Sequence, residues 1–258
     1  MISKPAIVCH GGAGHGARDQ PGVEEATSLG WTLLQQGNSA LDAALAAVVM
    51  MENDPFLNAG TGGRIRADGS IQLDAAVMTS DGRFGAVTCI EQTKNPILVA
   101  AKLLDEQVNM LAGRGARDFA DSINVPREKV EGSPQPTGND TVGAIVRDQS
   151  GLIVVASSTG GCTGRPAGRI GDTPLIGAGI WCDEFVGISA TGIGEAITLK
   201  MSSVRIADRV SSGVDLSDAL KWGVEQFNSD IEVGFIGLSS QGVGIGVANT
   251  KMPWASKS

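Results

Sequence analysis

The stretch Asp140-Thr141-Val142-Gly143-Ala144-Ile145-Val146 decides how this chain is read. Before it lies a polar, proline-bearing run from Val125-Pro126 to Gly138-Asn139. After it come a turn at Asp148-Gln149-Ser150-Gly151 and a second apolar run, residues 152–156, that ends in Ser157-Ser158-Thr159-Gly160-Gly161. Facing residues of a hairpin have position numbers with a nearly constant sum. Folding the two runs back on the turn therefore sets Thr159 opposite Thr141, on one face. Two hydroxyls then meet at the mouth of a hairpin that starts just after a linker. The pattern predicts a chain cut between Asp140 and Thr141, with the freed threonine as nucleophile.

The chain has 258 residues, enough for a substantial core. Hydrophobic residues make up 42% and charged residues 19%, ordinary values for a globular protein. The 36 glycines fall in short clusters, which predicts tight turns and close backbone approaches. Tyrosine is absent, aromatics are 4%, and the net charge is −8 with no basic stripe. Those features argue against nucleic acid as a partner. No apolar run approaches membrane-spanning length and no signal-like segment opens the chain, so a cytoplasmic protein without membrane contact is expected. Cys9, Cys89, Cys162 and Cys182 form no CxxC pair and read as buried, reduced thiols. A zinc site would need clustered ligands, and the two histidines, His10 and His15, lie close together at one glycine loop.

Along the chain, a strand at 6–10 leads into Gly11-Gly12-Ala13-Gly14-His15-Gly16. A helix is expected over 22–36. A second, over 40–51, opens with a Ser39/Asp42 capping box and is apolar nearly all round, as a buried helix would be. Strands are expected at 64–66, 71–78 and 84–90, then helices starting at Asn95-Pro96 and around 117–122. Past the central hairpin, a strand at 186–191 should feed one helix carrying Ile197, Met201, Val204 and Ala207 on a single side. A helix over 216–227 and a hairpin of 233–238 with 243–248 close the chain. Hairpins beside helix pairs do not make the βαβα alternation of a doubly wound sheet. Antiparallel sheets with helices outside, an α+β fold, suit the order better.

Several candidate sites keep alternative readings. Gly12-x-Gly14-x-x-Ala17 after a strand is a variant of the dinucleotide fingerprint, but Pro21-Gly22 breaks the segment where the phosphate-binding helix should run. A tight turn or an active-site wall fits better. Thr191-Gly192-Ile193-Gly194-Glu195 is either a simple strand-to-helix turn or an oxyanion hole built from the Thr191 hydroxyl and the Gly192 amide. Arg165, Arg169 and Asp172 share one glycine-rich loop. Such charges are usually solvated, yet Arg could fork onto an α-carboxylate while Asp takes an α-ammonium. Serine and cysteine nucleophiles normally need a histidine base, and Gly-x-Ser-x-Gly is missing. A threonine with a free α-amine carries its own base, titrating near ~7.7–8.

Taken together, these residues resemble the plant-type asparaginase / isoaspartyl peptidase family of N-terminal nucleophile hydrolases, to which glycosylasparaginases are related. The resemblance rests on His10-Gly11-Gly12-Ala13-Gly14, Gly37-Asn38-Ser39-Ala40-Leu41-Asp42-Ala43, Glu52-Asn53-Asp54-Pro55-Phe56-Leu57-Asn58-Ala59-Gly60, Thr141-Val142-Gly143-Ala144, Ser158-Thr159-Gly160-Gly161, Gly168-Arg169-Ile170-Gly171-Asp172-Thr173-Pro174 and Thr191-Gly192-Ile193-Gly194-Glu195, in order and at similar spacing.

The resemblance implies a four-layer αββα sandwich forming a single domain over 1–258. Autocleavage would divide it into an α chain, 1–140, and a β chain, 141–258. It further implies that Thr141 attacks a side-chain amide to release L-aspartate from L-asparagine or β-aspartyl peptides. Thr159 would orient the nucleophile, Thr191 and Gly192 would hold the oxyanion, Arg169 and Asp172 would grip the amino-acid end, and Asn58 would lie nearby. No cofactor is required by this chemistry. By the same resemblance, carbonyls of Met51, Glu52, Asp54, Leu57, Ala59 and Thr61 would bind a structural sodium, and the assembly would be a dimer of αβ units. Asp140-Thr141 is the junction of glycosylasparaginases, which leaves that activity as the rival within the class. A nucleotide-binding or non-catalytic α/β protein is the rival outside it.

Overall fold

A computed structural model describes residues 3–14, 19–132 and 141–258. Two sheets organise it. The larger contains β1 (Ala6–His10), β2 (Leu73–Thr79), β3 (Phe84–Ile90), β4 (Met110–Ala112), β5 (Val142–Arg147), β6 (Ile153–Thr159) and β11 (Trp254–Lys257). Their order across the sheet is β11-β1-β5-β6-β2-β3-β4, antiparallel everywhere but between β3 and β4. The smaller sheet is antiparallel, with order β10-β9-β8-β7, from β7 (Ile180–Cys182), β8 (Val186–Gly192), β9 (Val233–Ser239) and β10 (Ile245–Ala248).

Side-chain alternation along the strands produces three cores. Val142, Ala144 and Val146 of β5, with Val154 and Ala156 of β6, pack beneath α1 (Gln20–Gln35) and α2 (Ala40–Asn53). Ala40, Ala43, Ala44, Ala47, Val48 and Met51 of α2 are all fully buried. These mostly small side chains let α2 lie against α1, β5 and β6 together. The helix starts at the expected capping box: Asp42 N donates to Ser39 Oγ at 3.1 Å and Ser39 N to Asp42 Oδ2 at 3.4 Å. Asp148 in the β5–β6 turn also accepts from Ala40 N at 2.9 Å, so the central hairpin is pinned to this helix. Helices α3 (Pro96–Lys102) and α4 (Gly113–Ser122) cover β2 and β3.

Ile145, Ile153 and Val155 point the other way and meet Ile236 and Leu238 of the second sheet. The sheets approach closely there: a Cβ on Gly187 would stand 2.7 Å from Ile145 Cγ2 and from Val155 Cγ2. The third core joins Val186, Ile188, Ala190, Val233 and Phe235 to α6 (Ser202–Ser211) and α7 (Leu216–Glu225). With α5 (Gly194–Lys200), there are seven α-helices among the described residues.

Three expectations are corrected. Residues 64–66 form no strand, only an isolated Ile65–Ile71 bridge. Arg66 N donates to Ser70 O and Gly69 N to Arg66 O, closing a turn too tight for a ladder. The single helix expected after Glu195 is two, α5 and α6, split at Met201, whose φ is +48° and whose side chain is exposed. Ser203 N and Val204 N donate to Ala178 O and Gly177 O, so the first turn of α6 is held by the preceding loop and swings away from α5. The short strands β4, β7 and β11 were not expected, and β11 adds an edge beside β1, pairing Ile7 with Lys257.

Candidate active site

The hairpin register runs from Val142–Ser158 to Arg147–Ile153 with a constant sum. Carried one step further, it sets Thr141 across from Thr159, as the sequence predicted. Both belong to the set of alternate residues that face the second sheet, with Ile145 and Val155. Thr141 is 4% exposed, and its Oγ1 lies 3.2 Å from Thr173 Oγ1. Thr159 Oγ1 accepts from Gly161 N at 3.1 Å. Asn58 is fully buried against the same turn. It accepts from Gly160 N through its backbone carbonyl at 3.0 Å and donates from Nδ2 to Gly161 O at 2.7 Å. Asp140, the other side of the expected cut, lies outside the described residues, as does His15.

Thr191 is the last residue but one of β8 on the facing sheet, before Gly192. Its Oγ1 accepts from Ala13 N at 3.1 Å, which ties the first glycine loop to the site wall. His10 closes β1 and sits 3.2 Å, through Nε2, from Ser189 Oγ. Burial pushes its imidazole down to about 3, so the ring is neutral near pH 7.

Arg169 and Asp172 converge on the start of α5: a Cβ on Gly194 would lie 2.8 Å from Asp172 Oδ1 and 3.0 Å from Arg169 Nη2. The forked edge of Arg169 is engaged by Glu195, through Nε at 3.1 Å and Nη2 at 2.8 Å. That bond holds the Glu195 carboxylate down at about 2. Asp172 is 3% exposed, and its Oδ2 has no hydrogen-bond partner among the described residues. Burial pushes its carboxyl up to about 7, against the smaller opposing pull of its own backbone amide and of Arg169. A buried acceptor without a donor is suited to an incoming ammonium. Arg165 is exposed, in line with its bland reading.

Three residues of the site region were not anticipated for these places. Thr173 lay in the Gly168–Pro174 stretch, directly after Asp172, but was given no role there. Glu195 lay in a noted motif but not as the partner of Arg169. Asp74, paired across the sheet with Thr159, is buried and accepts from Cys89 N at 2.7 Å. Burial raises its carboxyl to about 6. Nothing in local sequence distinguishes it from a solvated strand acid. A 560 Å³ cavity lined by Gln72, Cys89, Gln92, Arg114 and Arg117 opens elsewhere, behind the Arg169 loop, and does not include the threonines.

The loop that the resemblance assigns to sodium also has suitable donors. A Cβ on Gly60 would meet Glu52 O and Lys94 O, each at 2.5 Å, so carbonyl oxygens crowd this glycine. Thr61 Oγ1 is buried and has no partner among the described residues. Carbonyl and hydroxyl oxygens suit a hard cation. The His, Cys, Asp and Glu side chains among the described residues form no metal-binding cluster.

A buried threonine hydroxyl facing the second sheet, bonded through Thr173 to the loop that carries Arg169 and Asp172, is an arrangement suited to a hydrolase. Comparison with known proteins gives the family. The asparaginase family model matches residues 3–134 and 127–258. Isoaspartyl peptidase/L-asparaginase of Rattus norvegicus is 34% identical over 284 residues, covering 97% of this chain and 85% of the relative. Plant-type L-asparaginase of Pyrococcus furiosus is 36% identical over 293 residues, covering 95% and 94%. The chain belongs to the asparaginase family.

Proposed function

We propose that the protein hydrolyses L-asparagine and β-aspartyl peptides through Thr141, after cutting its own chain before that residue. The observation that carries this reading is the joining of Thr141 to Asp172 by one loop. Thr141 Oγ1 is 3.2 Å from Thr173 Oγ1, and Thr173 follows Asp172 directly. A substrate whose ammonium rests on Asp172 would therefore present its side chain to the nucleophile.

In the precursor, Thr141 Oγ attacks the Asp140 carbonyl, the C–N bond breaks, and an ester forms. Water hydrolyses it, leaving an Asp140 carboxylate and a free Thr141 amine. In turnover this amine takes the hydroxyl proton as Thr141 Oγ attacks the substrate's side-chain amide. The oxyanion is held by the Thr191 hydroxyl and the Gly192 amide. The amine returns the proton to the leaving nitrogen, and water then releases aspartate from the ester.

The three cores support a four-layer αββα sandwich of the N-terminal nucleophile type, one domain over 1–258 that becomes chains 1–140 and 141–258. A structural sodium on the 51–61 loop, a dimer of αβ units and a cytoplasmic location complete the reading. All four cysteines are free and buried, which supports a reducing compartment. Among the described residues no helix is long and apolar enough to cross a membrane.

Thr141→Ala tests the nucleophile. It should abolish both cleavage and hydrolysis, whereas Thr141→Ser should keep part of each, because only a methyl is lost. Assays on asparagine, a β-aspartyl dipeptide and a glycosylated asparagine should show turnover of the first two. Hydrolysis of the glycosylated compound alone would instead favour the glycosylasparaginase reading, and activity in the alanine variant would overturn the nucleophile.

A further inference from the structure

We infer that Thr173 is a further positioning residue for the Thr141 hydroxyl, beyond the role the resemblance gives Thr159, and that self-cleavage depends on it more than turnover does. This rests on Thr141 being the nucleophile.

The starting point is what an uncut chain lacks. Before cleavage the Thr141 nitrogen is an amide, which is neither a base nor a free group able to orient the neighbouring hydroxyl. A threonine hydroxyl rotates, and attack on the preceding carbonyl needs one rotamer. Neighbours must therefore select it. Thr173 Oγ1 stands 3.2 Å from Thr141 Oγ1, and both residues are almost completely buried, at 1% and 4% exposure. With Thr141 donating its O–H to Thr173, the proton is turned aside and the lone pairs of Thr141 Oγ are left for the carbonyl carbon.

Thr173 is itself firmly placed. Leu175 N donates to Asp172 O at 2.9 Å, and Gly179 N to the same oxygen at 3.2 Å. A Cβ on Gly179 would fall 2.7 Å from Thr173 N and 2.4 Å from Asp172 O, so two backbone segments touch directly behind the threonine. The hydroxyl is thus presented by backbone that has little room to shift. Once the cut is made, the freed Thr141 amine becomes the local base and holds the hydroxyl as well. Thr173 then shares the selection of the rotamer with that amine.

The test compares freshly refolded precursor of wild type, Thr173→Val, Thr173→Ser and Thr141→Ala. Cleavage half-time is followed by gel. The cut fraction is then purified for kcat and KM on asparagine, with thermal unfolding as a check on folding. Thr173→Val keeps the shape and removes the hydroxyl. Its cleavage should slow about tenfold, as expected for one lost hydrogen bond. Its kcat should fall by a smaller factor with KM nearly unchanged, and Thr173→Ser should cleave at close to the wild-type rate. Wild-type cleavage in Thr173→Val overturns the inference. So does equal slowing in Thr173→Ser, which would trace the effect to packing and not to the hydroxyl. Cleavage or activity in Thr141→Ala would instead remove the nucleophile reading on which this one stands.

Discussion

The role proposed for Asp172 makes substrate binding depend on pH. Burial favours its neutral acid, with the carboxyl up at about 7. Gripping an ammonium requires the carboxylate, so below pH 7 a proton must leave before substrate can bind. KM for asparagine should therefore rise as pH falls from 7 to 5.5, approaching tenfold per unit. An α-amine freed on Thr141 by the proposed cleavage should appear mainly in kcat, since model α-amines titrate near ~7.7–8. Kinetics across pH 5.5–8.5 separate the two, and a KM flat through this range would contradict the role given to Asp172. At this scale the sequence was most informative where chemistry demands a particular residue type. A strand-start threonine, an arginine and an aspartate in one loop, and a scarcity of histidine all point to the proposed site. It was least informative for Thr173 and Asp74, whose importance lies in what folding brings beside them. A hydroxyl or a carboxylate has no local mark of a partner more than 30 residues away, such as Thr141 is to Thr173.

Helix α2 and the central hairpin were legible because each carries its own stop signals. The capping box fixed the start of α2, and the Asp148–Gly151 turn fixed the hairpin register. The break between α5 and α6 was hidden, because residues 195–207 keep a helical apolar period while Met201 takes a left-handed backbone. Hydrogen bonds to Gly177 and Ala178, supplied by another segment, override the local pattern. The contact of α2 with the sheet also has a measurable pH signature. Glu52 is buried there, accepting from Ser158 Oγ at 2.7 Å and Ile97 N at 3.1 Å through Oε1, and from Asn95 Nδ2 at 3.0 Å through Oε2. Burial outweighs these donors and raises its carboxyl from 4.5 to about 8. The folded state holds this proton more tightly than the unfolded chain. Its stabilising contribution is therefore full below about 4.5 and lost as pH rises through about 8. Asp74 and Asp172, also raised, act with the same sign, and His10, lowered from 6.5 to about 3, offsets part of this below about 6.5. The melting temperature should fall by several degrees between pH 5 and 8, at about 2–4 °C per kcal/mol. Glu52→Gln should flatten that slope, and an unchanged slope in calorimetry would show that Glu52 does not hold its proton.

The proposed cleavage and chemistry both fall at one end of the paired sheets. Both sheets turn hydroxyls inward at one end: Thr141 and Thr159 from the larger, Thr191 from the smaller. The proposed nucleophile directly precedes a central hairpin whose other end is pinned to α2 by Asp148. An interior β5 flanked by β1 and β6 can keep its place after the chain is cut at its leading end, because its ladders on both sides remain. The strand class and antiparallel character were readable from the hairpin spacing. The edge strand β11 was not, because its partner β1 is more than 240 residues away in the chain. The most direct test of the account is an intact-mass measurement on purified, aged protein alongside an asparagine assay of the same sample. The account predicts two fragments, residues 1–140 and 141–258, with activity appearing as they form. A 258-residue chain that stays whole and still hydrolyses asparagine would contradict it.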